Sequence, residues 1–379
     1  MTGSRADYGL LYHLINQLER DPDITLQLVA TGMHLSQAFG LTVNQIRDDG
    51  FTVSYEVDSL LSSDTNTGMA KSVGLGVIGF TECYANLKPD LVMLLGDRYE
   101  IFAAASAAML LKIPVGHIHG GEVTEGAIDE SIRHCITKMS HLHLTSNNLH
   151  RDRVIQMGEN PEFVQNFGAP GVEAFHRLAP MTRQELEASL GFKFYPKNLL
   201  VTFHPVTLSQ RSGVDEVETL WRSLAKFEDC GVIITKSNSD PSGRAINDSI
   251  DDYAAQSGGR VKAFTSLGQR RYFSLLRQMS AMVGNSSSGL IEAPSVPVPT
   301  VNIGDRQKGR LAGNSVIHCP MDEASIVKAI RKAIDPPFKN QLRSEDSPYG
   351  NGGFSVKVVD LLKSIDLERL NRKPFFNHP

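Results

Sequence analysis

Short apolar runs that predict strands alternate with segments that have the apolar spacing of helices along almost the whole chain. Residues 91–97, 113–119 and 141–147 are such runs in the first half, and residues 198–205 and 231–238 are such runs in the second. Strands that alternate with helices usually form a parallel sheet covered by helices on both faces. The sequence therefore predicts an α/β protein.

The length of 379 residues suggests two domains of roughly 100–200 residues each. The alternating pattern starts afresh near Gly168. We therefore expect an N-terminal Rossmann-like domain over residues 1–168 and a second Rossmann-like domain over residues 169–352. A last helix, within residues 353–379, should pack on one of them. Ligands of such folds bind at the carboxyl ends of strands, which predicts a site in an interdomain cleft.

Composition narrows the classes of function. The net charge of −4 gives no support to binding of nucleic acid or of an anionic membrane. No run approaches the roughly 18 apolar residues that a transmembrane helix needs, and the first residues lack the apolar core of a signal peptide. The four cysteines are far apart, which fits reduced thiols in the cytosol. We therefore expect a cytoplasmic protein that acts on a small molecule.

The segment from His117 to His134 is the first candidate for chemistry. An apolar run enters the pair Gly120-Gly121, and many ionisable groups lie in or after it. They are His117, His119, Glu122, Glu125, Asp129, Glu130, Arg133 and His134. Residues 129–139 are predicted to form a helix, which pairs Asp129 with Arg133 and Glu130 with His134 at i,i+4 spacing. Strands that end in glycine-rich loops often carry the reactive groups of α/β proteins, so this segment predicts a reaction centre.

Two kinds of chemistry fit this segment. His117 and His119 would point to one face of a strand and could share a metal ion, but no established ligand spacing supplies the further ligands that zinc usually takes. Acid–base chemistry is the other interpretation. Asp97, Glu122 and Asp129 come from three segments that could converge, and crowded carboxylates push their pKa values apart. We expect no metal.

Residues 284–295, GNSSSGLIEAPS, form the second candidate site. Serine hydroxyls and backbone amides after a strand suit a phosphate or diphosphate, although an ordinary serine cap of a helix would look the same. Glu292 could accept hydrogen bonds from ribose hydroxyls. The sequence lacks a P-loop, and GLGVIG at residues 74–79 follows no predicted strand, so neither an NTPase nor an NAD enzyme is indicated.

Several basic and polar residues at predicted turns could bind the same anion. Guanidinium groups bind phosphate oxygens in pairs, although single surface arginines more often form ion pairs. His204, at the end of a predicted strand, could contact a phosphate or a leaving-group oxygen, or have a structural role. The candidates are Arg5, Arg98, His204, Asn238, Arg306, Lys308 and Arg310.

Taken together, these motifs resemble a known family. TGSRADYGLL, TGMHL, LGDRYE, HIHGGE with DESIRHCITKMSHLHLTS, FHPVT, GNSSSGLIE and NIGDRQKGR occur in an order and spacing similar to the UDP-N-acetylglucosamine 2-epimerase family, above all its hydrolysing branch. The resemblance covers nearly the whole chain. It implies a glycosyltransferase-B-like fold, in which the last helix crosses back to the first domain, and a homodimer or homotetramer.

The resemblance also implies a reaction. UDP-N-acetylglucosamine and water would give UDP and N-acetylmannosamine, through elimination to 2-acetamidoglucal and then hydration, without a cofactor or metal. By the same resemblance, Asp97, Glu122 and Asp129 serve as acids and bases, with His204 at the leaving group. The residues implied to hold UDP are Arg5, Arg98, His204, Asn238, Ser286, Ser287, Glu292 and Arg306.

The chain departs from the family at two places. Many members carry glutamate where His119 stands, so the base is expected to be either His119, since imidazole is a competent base near neutral pH, or Glu122. Members also begin with a short apolar strand, whereas only Met1 precedes the predicted turn and helix here. We expect a missing first strand from an incomplete start, and with it a loss of several kcal/mol of stability.

Four other functions remain open on the sequence. They are a hydrolysing 2-epimerase of UDP-N,N'-diacetylbacillosamine, a non-hydrolysing epimerase that returns UDP-N-acetylmannosamine, a sugar transferase of the same fold, and a regulator that only binds a UDP-sugar. The three carboxylates argue against the last of these, because a binder of an anionic ligand has no need of them.

Overall fold

The structure is a computed structural model of the chain. It describes residues 1–61, 63, 65–125, 127–204, 213–237, 243–343, 347–370 and 372–377, apart from the side chain of residue 244. The chain divides into two compact units. Unit 1 comprises Met1–Glu122, Ile128–Ala174 and Gly352–Pro379, and unit 2 comprises Val123–Ala127 and Phe175–Asn351.

Unit 1 alternates helices and strands from its first residues. Its elements, up to the crossing into unit 2, are α1 (Arg5–Arg20), β1 (Leu28–Thr31), α2 (Val43–Asp48), β2 (Val53–Val57), α3 (Asn66–Leu87), β3 (Val92–Leu95), α4 (Tyr99–Leu110), β4 (Val115–Ile118), α5 (Asp129–Met139), β5 (Leu142–Thr145), α6 (Asn148–Gln156), β6 (Val164–Asn166) and α7 (Pro170–Arg177). The strands form two parallel sheets. One contains β1 and β2, and the other contains β3, β4, β5 and β6 in that order.

The first two residues of the chain lie beside β1 and β3. Thr2 forms a parallel bridge with Ala30, and its backbone exchanges hydrogen bonds of 2.9 and 3.0 Å with Val29 and Thr31. The terminal ammonium of Met1 donates to the carbonyl of Met93 in β3 over 3.3 Å. One bridging residue thus stands at the place where the sequence predicts that a first strand is missing.

Unit 2 contains a single parallel sheet among the residues that the structure describes. Its elements are α8 (Arg183–Leu190), β7 (Lys197–Thr202), α9 (Gly213–Ala225), β8 (Cys230–Thr235), α10 (Gly243–Gln256), β9 (Val261–Phe264), α11 (Gly268–Leu276), β10 (Ala281–Gly284), α12 (Ser288–Ile291), β11 (Thr300–Ile303), β12 (Val316–Cys319), α13 (Glu323–Ala333) and α14 (Pro336–Asn340). The strand order is β12, β11, β10, β7, β8, β9. The central strands β7 and β10 are buried along nearly their whole length, as apolar runs in parallel sheets usually are.

The chain then returns to unit 1 as two helices, α15 (Phe354–Ser364) and α16 (Leu367–Leu370). The buried carboxylate of Glu173 accepts hydrogen bonds from the backbone N–H and the hydroxyl of Ser355, over 2.6 and 2.7 Å, and so caps the start of α15. At the other end of α15, Lys363 forms an ion pair with Asp21 over 3.1 Å. No helix in the described residues is long and apolar enough to span a membrane.

Some local predictions were wrong. The residues TGSRADYG predict a turn at 2–9, but this stretch already contains the start of α1, because Ser4 caps the helix and Asp7 lies in its first turn. The polar and glycine-rich residues 48–68 predict no helix or strand, but they contain β2, whose side chains are alternately half-buried and exposed up to its buried last residue. The sequence predicts one helix over 354–370 after a linker over 335–353, whereas the helix is interrupted between α15 and α16 and the linker contains α14.

Candidate active site

Arg133 is a deeply buried charged side chain of unit 1, with 1% of its surface exposed. Its Nε and Nη2 atoms donate to Oδ2 of Asp97, the former over 2.9 Å. Its Nη1 atom donates to the carbonyl of Glu122 over 2.8 Å and to the carboxylate of Glu130 over 2.9 Å. Burial by itself lowers the pKa of Arg133, but the carboxylates of Asp97, Glu122 and Glu130 outweigh it and raise this pKa. The guanidinium therefore stays charged and fixes its neighbours.

His119 and Glu122 form a buried pair directly after β4. The Nδ1 atom of His119 bonds to Oε1 of Glu122. The same oxygen accepts the hydroxyl of Ser146 over 3.2 Å, and Ser146 also contacts Nδ1 of His150 over 2.9 Å. The Nε2 atom of His119 is buried without a hydrogen-bond partner among the described residues. A histidine bound to a carboxylate through Nδ1 presents its Nε2 as an acceptor for a proton.

The pair Gly120-Gly121 brings this loop close to α6. Gly121 has a φ of +80°, and a Cβ built on it would lie 2.3 Å from the carbonyl oxygen of His150. A side chain would therefore collide with backbone there. His119 itself has a φ of +69°, which histidine adopts more readily than most residues. The double glycine thus allows the approach that places Glu122 beside Ser146.

The remaining candidates of unit 1, Asp129, Arg98 and Arg5, lie at the starts of helices. Asp129 is half-buried and is the first residue of α5, one helical turn before Arg133. Arg98 donates through Nε to Glu100 over 2.8 Å. A Cβ built on Gly3, two residues before Arg5, would lie 2.8 Å from the side chain of Glu100. The start of α1 therefore packs against the pair of Arg98 and Glu100, which brings the two predicted phosphate ligands to one region of unit 1.

The two histidines that could have shared a metal ion point to different partners. His117 bonds to the carbonyl of Gly96 and to Thr137, whereas His119 bonds to Glu122. Over the described ranges, no group of three or more His, Cys, Asp or Glu side chains is arranged to hold a metal ion. The side chains of this loop instead form hydrogen bonds with one another.

In unit 2, an asparagine holds the backbone of His204. Oδ1 of Asn285 accepts the N–H of His204, and its Nδ2 donates to the carbonyl of His204, both over 2.8 Å. Asn247 forms the same reciprocal pair with Ser237 after the adjacent strand, over 2.8 and 3.3 Å. Nδ1 of His204 lies 3.3 Å from the hydroxyl of Ser237. The two side-chain amides therefore extend the backbone hydrogen bonding of the sheet past the ends of β7 and β8. They fix the position of the His204 imidazole at the carboxyl ends of these strands. Asn238, a predicted ligand, lies outside the described residues.

The serine-rich segment is fixed to the loop after β11. The carbonyl of Asn285 accepts Nη1 of Arg306 over 3.1 Å and Nε2 of Gln307 over 2.8 Å. Ser286 and Ser287 follow and are half-buried. The helix that they open, α12, is short, with four residues. Individual amides and hydroxyls, more than a helix dipole, are thus available for an anion.

Glu292 follows α12 and is buried.

Lys308 forms an exposed ion pair with Glu125, over 3.2 Å, within unit 2. This contact agrees with the sequence argument that some cations of the 304–310 segment are surface charges.

Sequence reasoning did not assign Arg133, Asn285 or Gln307 to the site. Arg133 was paired only with Asp129 at helical spacing, and Asn285 stood unassigned inside a quoted motif. Gln307 lies next to a predicted ligand. The available signal was the same for all three: a hydrogen-bonding residue inside a segment already identified as reactive. The pairing of Glu130 with His134 at helical spacing is confirmed, with Nε2 and Oε1 3.0 Å apart.

Comparison with known proteins now identifies the family. Residues 16–363 match the family model for UDP-N-acetylglucosamine 2-epimerase, so the chain belongs to this family. It is 37% identical to the GDP/UDP-N,N'-diacetylbacillosamine 2-epimerase (hydrolyzing) of Campylobacter jejuni, over 100% of this chain and 98% of the relative. It is 38% identical to the polysialic acid biosynthesis protein P7 of Escherichia coli, over 100% and 97%.

The fold also matches a solved structure. The UDP-GlcNAc 2-epimerase of Neisseria meningitidis, bound to UDP-GlcNAc, has a TM-score of 0.81 and 18% identity, over 96% of this chain and 98% of that one. The predicted resemblance to the family and the predicted α/β fold with two domains of parallel sheet are confirmed.

Gly284 offers a test of the geometry around the serine-rich segment. Its φ is +139°, and a Cβ built on it would lie 1.9 Å from the carbonyl oxygen of Thr202. We predict that Gly284→Ala lowers the free energy of unfolding by about 2 kcal/mol or more, because backbone must move. Gly74→Ala is the matched control: Gly74 lies in α3 with open space around it, so this change should stabilise by up to about 1 kcal/mol. Urea unfolding measures both, and equal stability of the two variants would contradict the described geometry.

Proposed function

We propose that this protein is a hydrolysing UDP-sugar 2-epimerase that converts UDP-N-acetylglucosamine and water to UDP and N-acetylmannosamine. The observation that carries the proposal is the buried group of acids and bases in unit 1, where the pair of His119 and Glu122 lies beside the pair of Arg133 and Asp97. Family membership and the hydrolysing relative from Campylobacter jejuni support the reaction class.

The first step would be an elimination. A base removes the hydrogen at C2 of the sugar, the electron pair of that bond forms the C1–C2 double bond, and the C1–O bond breaks so that UDP leaves. We assign the base to Nε2 of His119, because it is buried, unpartnered among the described residues, and oriented through Nδ1 by Glu122. This assignment gives each member of the pair a role: imidazole takes the proton, and carboxylate stabilises the imidazolium.

The second step would be hydration of the glucal. Water adds its oxygen to C1, and a proton adds to C2 on the face opposite to the one deprotonated, which inverts C2. Asp97 and Asp129 are the proposed base and acid for this step. Asp97 accepts two N–H groups of the charged guanidinium of Arg133, which fixes its carboxylate as the group that orients water, and Asp129 is the proposed acid.

Unit 2 would hold the nucleotide. Ser286, Ser287 and Arg306 offer hydroxyls, amides and a positive charge for the diphosphate, and Glu292 would accept the ribose hydroxyls. His204 would donate to the oxygen of the leaving group. Arg5 and Arg98 of unit 1 are proposed to contribute further positive charge, and Asn238 stays a predicted ligand. A homodimer or homotetramer likewise stays a prediction. The four free cysteines, buried except Cys135, fit the predicted cytoplasmic location.

UDP-N,N'-diacetylbacillosamine is the second candidate substrate. The relative at 37% identity carries this sugar in its name, and both substrates would undergo the same elimination and hydration. The two differ at C4 and C6 of the sugar, far from the bonds that break. The choice between them therefore rests on contacts other than those of the acid–base group.

Incubation with each nucleotide sugar in D₂O, followed by proton NMR, tests the reaction and the substrate together. We expect free UDP and N-acetylmannosamine with deuterium at C2 from UDP-N-acetylglucosamine, because the C2 proton comes from solvent in the second step. Product from the diacetylated sugar alone would assign the second substrate instead. Release of UDP-N-acetylmannosamine, or turnover only after addition of an acceptor, would overturn the hydrolysing assignment in favour of the non-hydrolysing epimerase or the transferase.

Substitution of the base gives a second test. We predict that His119→Ala lowers kcat by about 10²–10⁴-fold, the usual contribution of a general base. Glu122→Gln should lower kcat less, since the imidazole remains but loses the carboxylate that orients it. His176→Ala, at an exposed position in α7, serves as the control and should keep wild-type kcat. Unchanged kcat in His119→Ala, measured under saturating substrate, would rule out His119 as the base.

A further inference from the structure

The turn that contains Gly96 and Asp97 is held by two hydrogen bonds to residues of β4. Gly96, the residue before Asp97, has a φ of +83°. Its N–H donates to the carbonyl of Ile118 over 3.0 Å, and its carbonyl oxygen lies 2.8 Å from Nε2 of His117. A carbonyl can only accept, so Nε2 of His117 must carry the proton of this bond. Two consecutive residues of β4, His117 and Ile118, thus bind both backbone polar groups of Gly96, the residue that precedes Asp97.

The other ring nitrogen of His117 faces α5. Its Nδ1 lies 3.3 Å from the hydroxyl of Thr137, and since Nε2 carries the proton in a neutral ring, Nδ1 accepts the hydroxyl hydrogen. Thr137 lies one helical turn after Arg133, which binds the carboxylate of Asp97. The contacts therefore close a ring that runs from Asp97 through Arg133, along one turn of α5 to Thr137, through His117 to Gly96, and back to Asp97.

Burial keeps the imidazole of His117 uncharged. No part of its surface is exposed, and this burial is the main reason that its pKa is lowered to about 3. The carbonyl of Gly96 and the carboxylate of Asp97 oppose the shift, whereas His143 and Arg133 add to it. A Cβ built on Gly120 would lie 3.1 Å from Nδ1, so the ring is also tightly packed and has little freedom to flip.

We propose that His117 is a positioning residue: a neutral imidazole of fixed tautomer that sets where the Asp97 carboxylate lies relative to Arg133. His117 contacts no reacting atom in this account. Its influence on turnover rests on the proposed function, whereas its tautomer and its hydrogen bonds do not.

Two amide substitutions separate this role from general packing. In His117→Gln the side-chain NH₂ can take the place of Nε2 and donate to the carbonyl of Gly96. In His117→Asn the NH₂ is one carbon closer to the backbone and cannot reach it. We expect His117→Gln to keep kcat within about threefold of wild type and His117→Asn to lose at least about tenfold, because misplacement of a reacting group by about 1 Å costs that much or more. Both should bind UDP within about threefold of wild type, since most of the proposed nucleotide contacts lie in unit 2.

Thermal unfolding of both variants guards against a merely structural effect. If the two unfold at similar temperatures but differ in kcat as predicted, the missing hydrogen bond and not lost stability explains the difference. Equal kcat in the two variants, or loss of kcat that follows loss of stability in both, would overturn the positioning role.

Nitrogen-15 NMR of the histidine-labelled protein tests the tautomer without any substrate. We expect His117 to show a protonated Nε2 and a bare Nδ1 that do not titrate across neutral pH. The opposite tautomer, or titration in that range, would overturn the proposal. If the tautomer is as expected but no UDP-sugar is turned over, the ring of contacts stands and the proposed function fails.

Discussion

The ion pair of Arg133 with Asp97 is the interaction on which the arrangement of unit 1 depends. A guanidinium that is 1% exposed would be costly to bury alone, because it gives up its hydration. Three segments offset that cost: the turn after β3 supplies Asp97, the loop after β4 supplies the carbonyl of Glu122, and α5 supplies Glu130. All three segments therefore bind the guanidinium of Arg133. The same hydrogen bonds that hold these segments together also position the acid–base group.

In unit 2, neutral side chains position the candidate residues. Where β7 and β8 end, side-chain amides take over the hydrogen bonds that a neighbouring strand would make. Asn285 binds the backbone N–H and C=O of His204, and Asn247 binds those of Ser237. A side-chain amide matches a backbone peptide in donor and acceptor, so it can extend the pairing where the strand has ended. These asparagines suit the proposed nucleotide site, because they fix the backbones of His204 and Ser237 without adding charge.

The sequence predicted the parts of this protein that follow from periodicity. Alternating strand and helix patterns led to the α/β fold, and α5 was predicted with its observed bounds, Asp129–Met139. Four short elements escaped: α6, β6, α7 and α8 occupy residues 148–190, where no element was predicted. A local signal was present at the start of α8, where Thr182 and Glu185 form a capping box, but elements of three to nine residues carry too few apolar positions for a period to stand out.

Residue types in the site were predictable, but their partners were not. Strand ends rich in ionisable groups led to Asp97, His119 and Glu122. The sequence argument then relied on carboxylates that perturb one another, whereas the structure adds a buried guanidinium among them. A hydrogen bond between residues 36 positions apart, such as that of Arg133 with Asp97, depends on how β3 and α5 pack, and so on the whole unit.

The proposed base and carboxylates belong to unit 1 and most proposed nucleotide contacts to unit 2, and calorimetric titration with UDP tests this division most directly. Glu122→Gln removes a member of the acid–base group, so we expect it to bind UDP within about threefold of wild type. Arg306→Ala removes a charge proposed to lie at the diphosphate and should weaken binding by at least about tenfold, or about 1.4 kcal/mol. Loss of UDP affinity in Glu122→Gln as large as that in Arg306→Ala would contradict the division of roles.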